Sequence, residues 1–105
     1  MPAKYRVEIT RHAEAELEAI YAYIAQDNPA AAFEFVAAIE RQISSLERFP
    51  LRAPVIPEAG ELGVSYRHLI HGVYRTILRV DGKRVYILRV IHGSRLLDLG
   101  ILQAP

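Results

Sequence analysis

Apolar and polar residues alternate at period two over Tyr5-Arg-Val-Glu-Ile-Thr10, the pattern of a half-buried β-strand. The period then changes. Ala13, Leu17, Ile20, Tyr21 and Ile24 fall at offsets of 0, 4, 7, 8 and 11, one stripe of an α-helix. Thr10 stands where a capping hydroxyl is wanted. Glu14, Glu16 and Glu18 lie mostly off the stripe, in the half of the helix where negative charge is favoured. The stripe places Tyr21 in the core with its hydroxyl at the rim. Asp27-Asn28-Pro29 breaks the pattern and opens a second helix, with Asn28 as cap and proline at the first helical position. Its stripe is Ala32, Val36, Ile39, Ile43 and Leu46, extended by Phe35 and Phe49 and stopped by Pro50. So short a link predicts an antiparallel helical hairpin.

Leu51 to Gly63 holds Pro54, Pro57, Gly60 and Gly63 and reads as an irregular connection. From Ser65 to Arg95 three further strands follow, with tight turns expected at His71-Gly72 and Asp81-Gly82. Gly93 ends the last strand, and Leu96 to Pro105 forms a short apolar tail. The order β-α-α-β-β-β predicts an α+β fold. Its mainly antiparallel, twisted sheet is a meander of the last three strands with the first strand added. The helical hairpin covers one face, leaving the other concave, partly exposed and available for binding.

The 105 residues suffice for a single domain, 1–105, with one core. The chain is 51% hydrophobic and 24% charged, ordinary for a soluble globular protein. No apolar run is long enough to span a bilayer, and the N-terminus has no signal-peptide stretch. The absence of cysteine excludes disulfides, thiolate zinc sites and a cysteine nucleophile, and suits a cytoplasmic location. No metal-ligand motif, glycine-rich phosphate loop or serine-centred triad is present, so neither metal nor cofactor is expected.

Net charge is only +1, below the usual basic excess of a nucleic-acid binder. Its placement is uneven, however. From Ser65 onward six Arg and one Lys face only Asp81 and Asp98, which suits an acidic peptide or a polyanion. If His71 and Gly72 are the turn residues, His68 pairs with Arg75 and Tyr66 with Ile77. Tyr66, His68, Arg75 and Arg79 then share one face, fit for phosphate or carboxylate recognition. A three-residue loop at Asp81–Lys83 pairs Val80 with Arg84 and adds Arg89 to that face. A two-residue turn pairs Val80 with Lys83 and sends Arg89 to the opposite face. The spacing leaves both open. Tyr66 and Tyr74, each followed by arginine, are placed for contact with a partner. His68, His71 and His92 are the candidates for proton transfer.

Several segments together resemble the RelE/ParE superfamily of bacterial type II toxin–antitoxin toxins. They are Tyr5-Arg-Val, Ala13-x3-Leu17-x2-Ile20-x2-Tyr23-Ile24, Ile43-x2-Leu46-x2-Phe49-Pro50 and Tyr66-Arg67-x-Leu69. Tyr74-Arg75 and Val85-x-Ile87-x2-Val90-x-His92-x2-Arg95 complete the series. The resemblance implies the same fold and a cytoplasmic toxin that forms a hetero-oligomer with a cognate antitoxin. The basic strands then offer the surface for target or antitoxin, at Tyr66, Arg67, His68, Tyr74, Arg75, Arg79, Arg89 and Arg95. RelE-like members cleave mRNA on the ribosome with clustered basic residues and a C-terminal Tyr or His. On that branch Arg67, Arg75, Arg89, His92 and Arg95 would be the catalytic candidates. ParE-like members poison DNA gyrase and need no hydrolytic site. The tail after Arg95 holds neither Tyr nor His, and Arg52 is the one basic residue in the loop before the second strand. Those departures favour the ParE-like branch. The mRNA endoribonuclease and a non-toxic partner-binding module are the alternatives.

Overall fold

Local chemistry sets the helix starts. The structure, a computed structural model, describes residues 4–57 and 66–94. Strand β1 (Arg6–Ile9) runs into Thr10, whose extended backbone and hydroxyl cap helix α1 (Arg11–Ala25) by accepting from the Ala13 N–H at 3.2 Å. Asn28 caps helix α2 (Pro29–Ser45) in the same way, its Oδ1 accepting from the Ala31 N–H at 3.0 Å. A 3₁₀ turn at Pro50–Arg52 leads to strands β2 (Arg67–His71), β3 (Tyr74–Asp81) and β4 (Arg84–His92). No described helix is long and apolar enough to cross a membrane.

The sheet order is β1-β4-β3-β2. β2, β3 and β4 form the expected antiparallel meander, while β1 joins its β4 edge in parallel, Val7 opposite Val85 and Ile9 opposite Ile87. The helices pack on one face. Ala13, Leu17 and Ile20 of α1 and Ile39 and Ile43 of α2 are buried against Leu78, Val85, Ile87 and Val90 of the sheet. Each fully buried Leu, Ile or Val contributes about 1.5–3 kcal/mol, so this layer carries most of the fold's cohesion. The other face, expected to be partly exposed, is more apolar than expected. It holds a second apolar cluster, Ile56, Tyr66, Ile77, Leu88 and Ile91, with Tyr86 against it. Ile56 reaches it because the described part of the connection, residues 51–57, is less irregular than its prolines predict. Its Ile56 N–H donates to Tyr66 O, Pro54 O accepts from the His68 N–H, and Val55 bridges Arg67.

Both hairpin turns fall one residue later than expected. Gly72 and Gly82 occupy the first central position, at φ +58° and +59°. Val73 and Lys83 follow outside the positive-φ region, as a type II′ turn requires. The pairs are therefore Ile70 with Arg75, His68 with Ile77 and Val80 with Val85, matching neither register considered for the second turn. A bulge corrects further. Ile77 faces Arg89 and Leu78 faces Ile87, so Leu88 is an extra residue in β4.

Helix α2 ends earlier than its stripe predicts. Phe49, expected to extend the buried face, lies beyond the last turn at φ 53° and ψ 52° and is 68% exposed. A left-handed residue other than glycine costs about 1–3 kcal/mol, and the following Pro50 disfavours helical backbone at this position. Arg52 holds the loop: its guanidinium donates to the carbonyls of Arg48 (2.9 Å) and Phe49 (3.2 Å) and to Ser45 Oγ. Tyr21 is likewise more exposed than its stripe position predicts.

The two turn glycines differ in surroundings. A Cβ on Gly72 would meet the Phe35 ring at 3.3 Å, whereas one on Gly82 meets nothing within 4 Å. Both alanine variants incur left-handed strain of about 1–2 kcal/mol, but only Gly72→Ala also displaces a packed ring. Urea unfolding is expected to show a larger loss for Gly72→Ala than for Gly82→Ala. Equal losses would mean that the ring yields freely. Thr10→Ala removes both the cap and the Thr10 hydroxyl's bond to Leu88 O at 3.0 Å, an expected loss of about 1–2 kcal/mol in the same measurement.

Candidate functional site

The described arginines proposed for the site separate into three environments. Arg67 is structural in its contacts: Nη1 donates to Ala53 O at 2.7 Å and Leu51 O at 3.1 Å, fastening the 3₁₀ segment to β2. Arg89 turns towards α1. Its Nε lies 2.9 Å from both Glu16 carboxylate oxygens and its Nη2 2.5 Å from one of them. The same carboxylate accepts from the Val90 N–H at 2.8 Å. The Arg89 and Glu16 side chains are only 12% and 19% exposed. The Glu16 hydrogen bonds, helped by its charge and opposed by burial, raise the Arg89 pKa above its usual value.

The third environment is the face bearing the second apolar cluster. Both strands shift by one residue relative to the expected register, so parity is kept, and Tyr66, His68, Arg75 and Arg79 do share this face. Arg75 is buried, with Nη1 3.4 Å from His68 Nδ1. The Arg79 guanidinium stacks 5.1 Å from the centroid of the Tyr86 ring, and its buried Nε meets no hydrogen-bond acceptor among the described residues. Tyr66 is buried in the apolar cluster. Guanidinium, imidazole and phenol groups on a half-buried surface can recognise a carboxylate or phosphate, whose attraction is strengthened by partial desolvation.

Tyr74 lies on the helix side, packed edge-on against Phe35 and His92. His71 meets Phe35 in the same manner, at 4.8 Å between centroids. His92 Nδ1 accepts from the Ser94 N–H at 3.2 Å and lies 2.7 Å from Ser94 Oγ. Its neutral ring therefore carries the proton on Nε2. Arg95 and the 96–105 tail lie outside the described residues. Among the described residues no group of three His, Asp or Glu side chains is gathered to hold a metal.

Glu16 is the residue that reading the sequence missed. Its offset of three from Ala13 and four from Ile20 places it on the edge of the buried stripe rather than off it. That spacing was the available signal.

A family model for the ParE toxin of the type II toxin–antitoxin system, parDE, matches residues 7–97. Among solved structures, the chain is similar to one from the chromosomal ParDE toxin–antitoxin system of P. aeruginosa. That match has 26% identity and a TM-score of 0.66, covering 87% of this chain and 98% of the other. It is also similar to a chain of the RelBE2 toxin–antitoxin complex from Mycobacterium tuberculosis, at 30% identity and TM-score 0.51, covering 85% and 98%. No curated protein sequence matches. The helical hairpin on a four-stranded mixed sheet, and the match along most of its length, lead to one conclusion: the chain belongs to the ParE toxin family of type II toxin–antitoxin systems.

Proposed function

We propose that this chain acts as a single domain, residues 1–105, as a cytoplasmic growth-inhibiting toxin. It binds DNA gyrase rather than cleaving RNA, and a cognate antitoxin neutralises it. Family membership supports the toxin reading, and the two solved relatives come from toxin–antitoxin assemblies. The observation that carries the non-hydrolytic part is the Glu16–Arg89 pair. A nuclease needs its phosphate-binding and proton-transferring groups convergent on one reacting centre. Here Arg89 is committed to Glu16, Arg67 donates to two backbone carbonyls, and Arg75 and His92 point to opposite sides of the sheet. The face with His68, Arg75 and Arg79 suits an acidic protein surface, and an antitoxin segment of acidic and apolar residues suits it equally.

Induced expression without antitoxin is expected to arrest growth, and the purified protein to inhibit gyrase supercoiling and trap its cleaved complex. Message ends should stay unchanged. Codon-linked mRNA cuts with unaffected gyrase would assign the chain to the endoribonuclease branch, and normal growth would leave a partner-binding module. Arg79→Ala, which removes a half-buried cation while leaving the helix-side core intact, should weaken gyrase inhibition about tenfold or more. Undiminished inhibition by the folded variant would move the working surface off this face.

A further inference from the structure

At the end of β3 remote from Arg75 lies a groove of about 440 Å³, between the residue preceding β1, the loop after α2 and the β3–β4 turn. Tyr5, Phe49 and Leu51 supply its apolar surface, with Pro50 between the last two; Arg48, Arg52 and Lys83 supply its charge. Among the described residues no carboxylate lines it. Phe49 and Leu51 are 68% and 55% exposed, so two large apolar side chains stand in water side by side. The backbone holds them there. Phe49 adopts the left-handed region immediately before a proline, and its carbonyl accepts from both the Arg52 N–H and the Arg52 guanidinium. A strained residue fixed from several directions and presenting its ring outward is the form that ligand clamps take. Lys83 Nζ is likewise placed, 4.8 Å from the Tyr5 ring centroid.

We propose that this groove is a docking site for an extended acidic segment of a partner protein carrying one bulky apolar side chain. The apolar anchor lies against Phe49 and Leu51, and flanking carboxylates meet Arg48 and Lys83. Charge complementarity selects this occupant: among the described residues every charged side chain lining the groove is cationic, and the Arg52 hydrogen bonds that hold the loop lower the ordering loss on binding. The site goes beyond the toxin reading and does not depend on it.

The test is an amide-resolved NMR titration of the full chain with two short synthetic peptides. One has a central Leu-Phe pair flanked by Asp and Glu; the other replaces every acid with Lys. The acidic peptide is expected to give saturable shifts centred on Tyr5, Phe49, Leu51 and Lys83, and to bind at least about tenfold more tightly than the basic one. Phe49→Gly is the sharper variant. It removes the anchor surface and relieves the left-handed strain, so peptide affinity should fall about tenfold while thermal stability rises. Lys83→Glu should lower affinity without unfolding the chain. Equal binding of both peptides, shifts away from the groove, or affinity unchanged by both substitutions would overturn the proposal. So would a concentration-dependent dimer broken by Phe49→Gly in the absence of peptide binding. That outcome would assign the groove to a second copy, whose Glu14, Glu18 and Glu40 line a separate acidic groove on the helices.

Discussion

One carboxylate fastens the helical layer to the sheet. β1 ends at Ile9, opposite Ile87, and the rest of β4 would present an unpaired edge. The start of α1 takes over that edge. Thr10 N–H donates to Ile87 O, the Thr10 hydroxyl donates to Leu88 O, and Glu16 accepts from the Val90 N–H while gripping Arg89. The backbone groups at the bulge are thus paired with a helix instead of a strand, which meets the requirement that buried polar groups find partners. The arrangement also explains the bulge. The extra residue at Leu88 lets Val85, Ile87 and Val90 all reach the helix-side core while Leu88 and Ile91 enter the second cluster. A strand of unbroken alternation could not do both.

Much of this architecture was legible because its signals are local. Thr10 and Asn28-Pro29 mark helix starts by side-chain chemistry that acts within one turn, and both caps form. The stripes through Leu17, Ile20, Ile39 and Ile43 give the buried face directly. The strand turns were located to within one residue, but glycine can serve at either central position, and only the backbone conformation decides which. That ambiguity shifted the register without changing its parity, so the grouping of Tyr66, His68, Arg75 and Arg79 survived. The bulge shows in the sequence as the change of spacing in Val85-x-Ile87-x2-Val90, with no glycine or turn signal to mark it. Its polar partner is tertiary: Glu16 meets β4 there across more than seventy residues of chain. Phe49 illustrates the opposite failure, an apolar residue at helical spacing that the loop geometry sends into solvent.

The same constraint organises the surface chemistry. Six arginines from Arg67 to Arg95 look alike in sequence, yet packing gives the five described ones different work. Arg67 secures a loop, Arg89 secures a helix, and Arg84 lies on the surface beside Glu8 at 3.8 Å. Arg75 and Arg79 remain with His68 on the face where recognition of an acidic group is chemically favoured. Charge away from the sheet is sorted as well, with a cationic groove beside Phe49 and an acidic one between the helices. A nearly neutral protein therefore carries strongly signed local surfaces, which serve partner selection better than a uniform excess would.

The direct test of the Glu16–Arg89 clamp is a double-mutant cycle by urea unfolding with Glu16→Gln and Arg89→Met. Glutamine keeps an acceptor for the Val90 N–H, and methionine keeps the apolar stem, so the cycle isolates the ion pair. The account predicts that each single variant loses about 1.5–3 kcal/mol and that the double variant loses little more than either one, a coupling of similar size. Losses that simply add, with a coupling below about 0.5 kcal/mol, would contradict it.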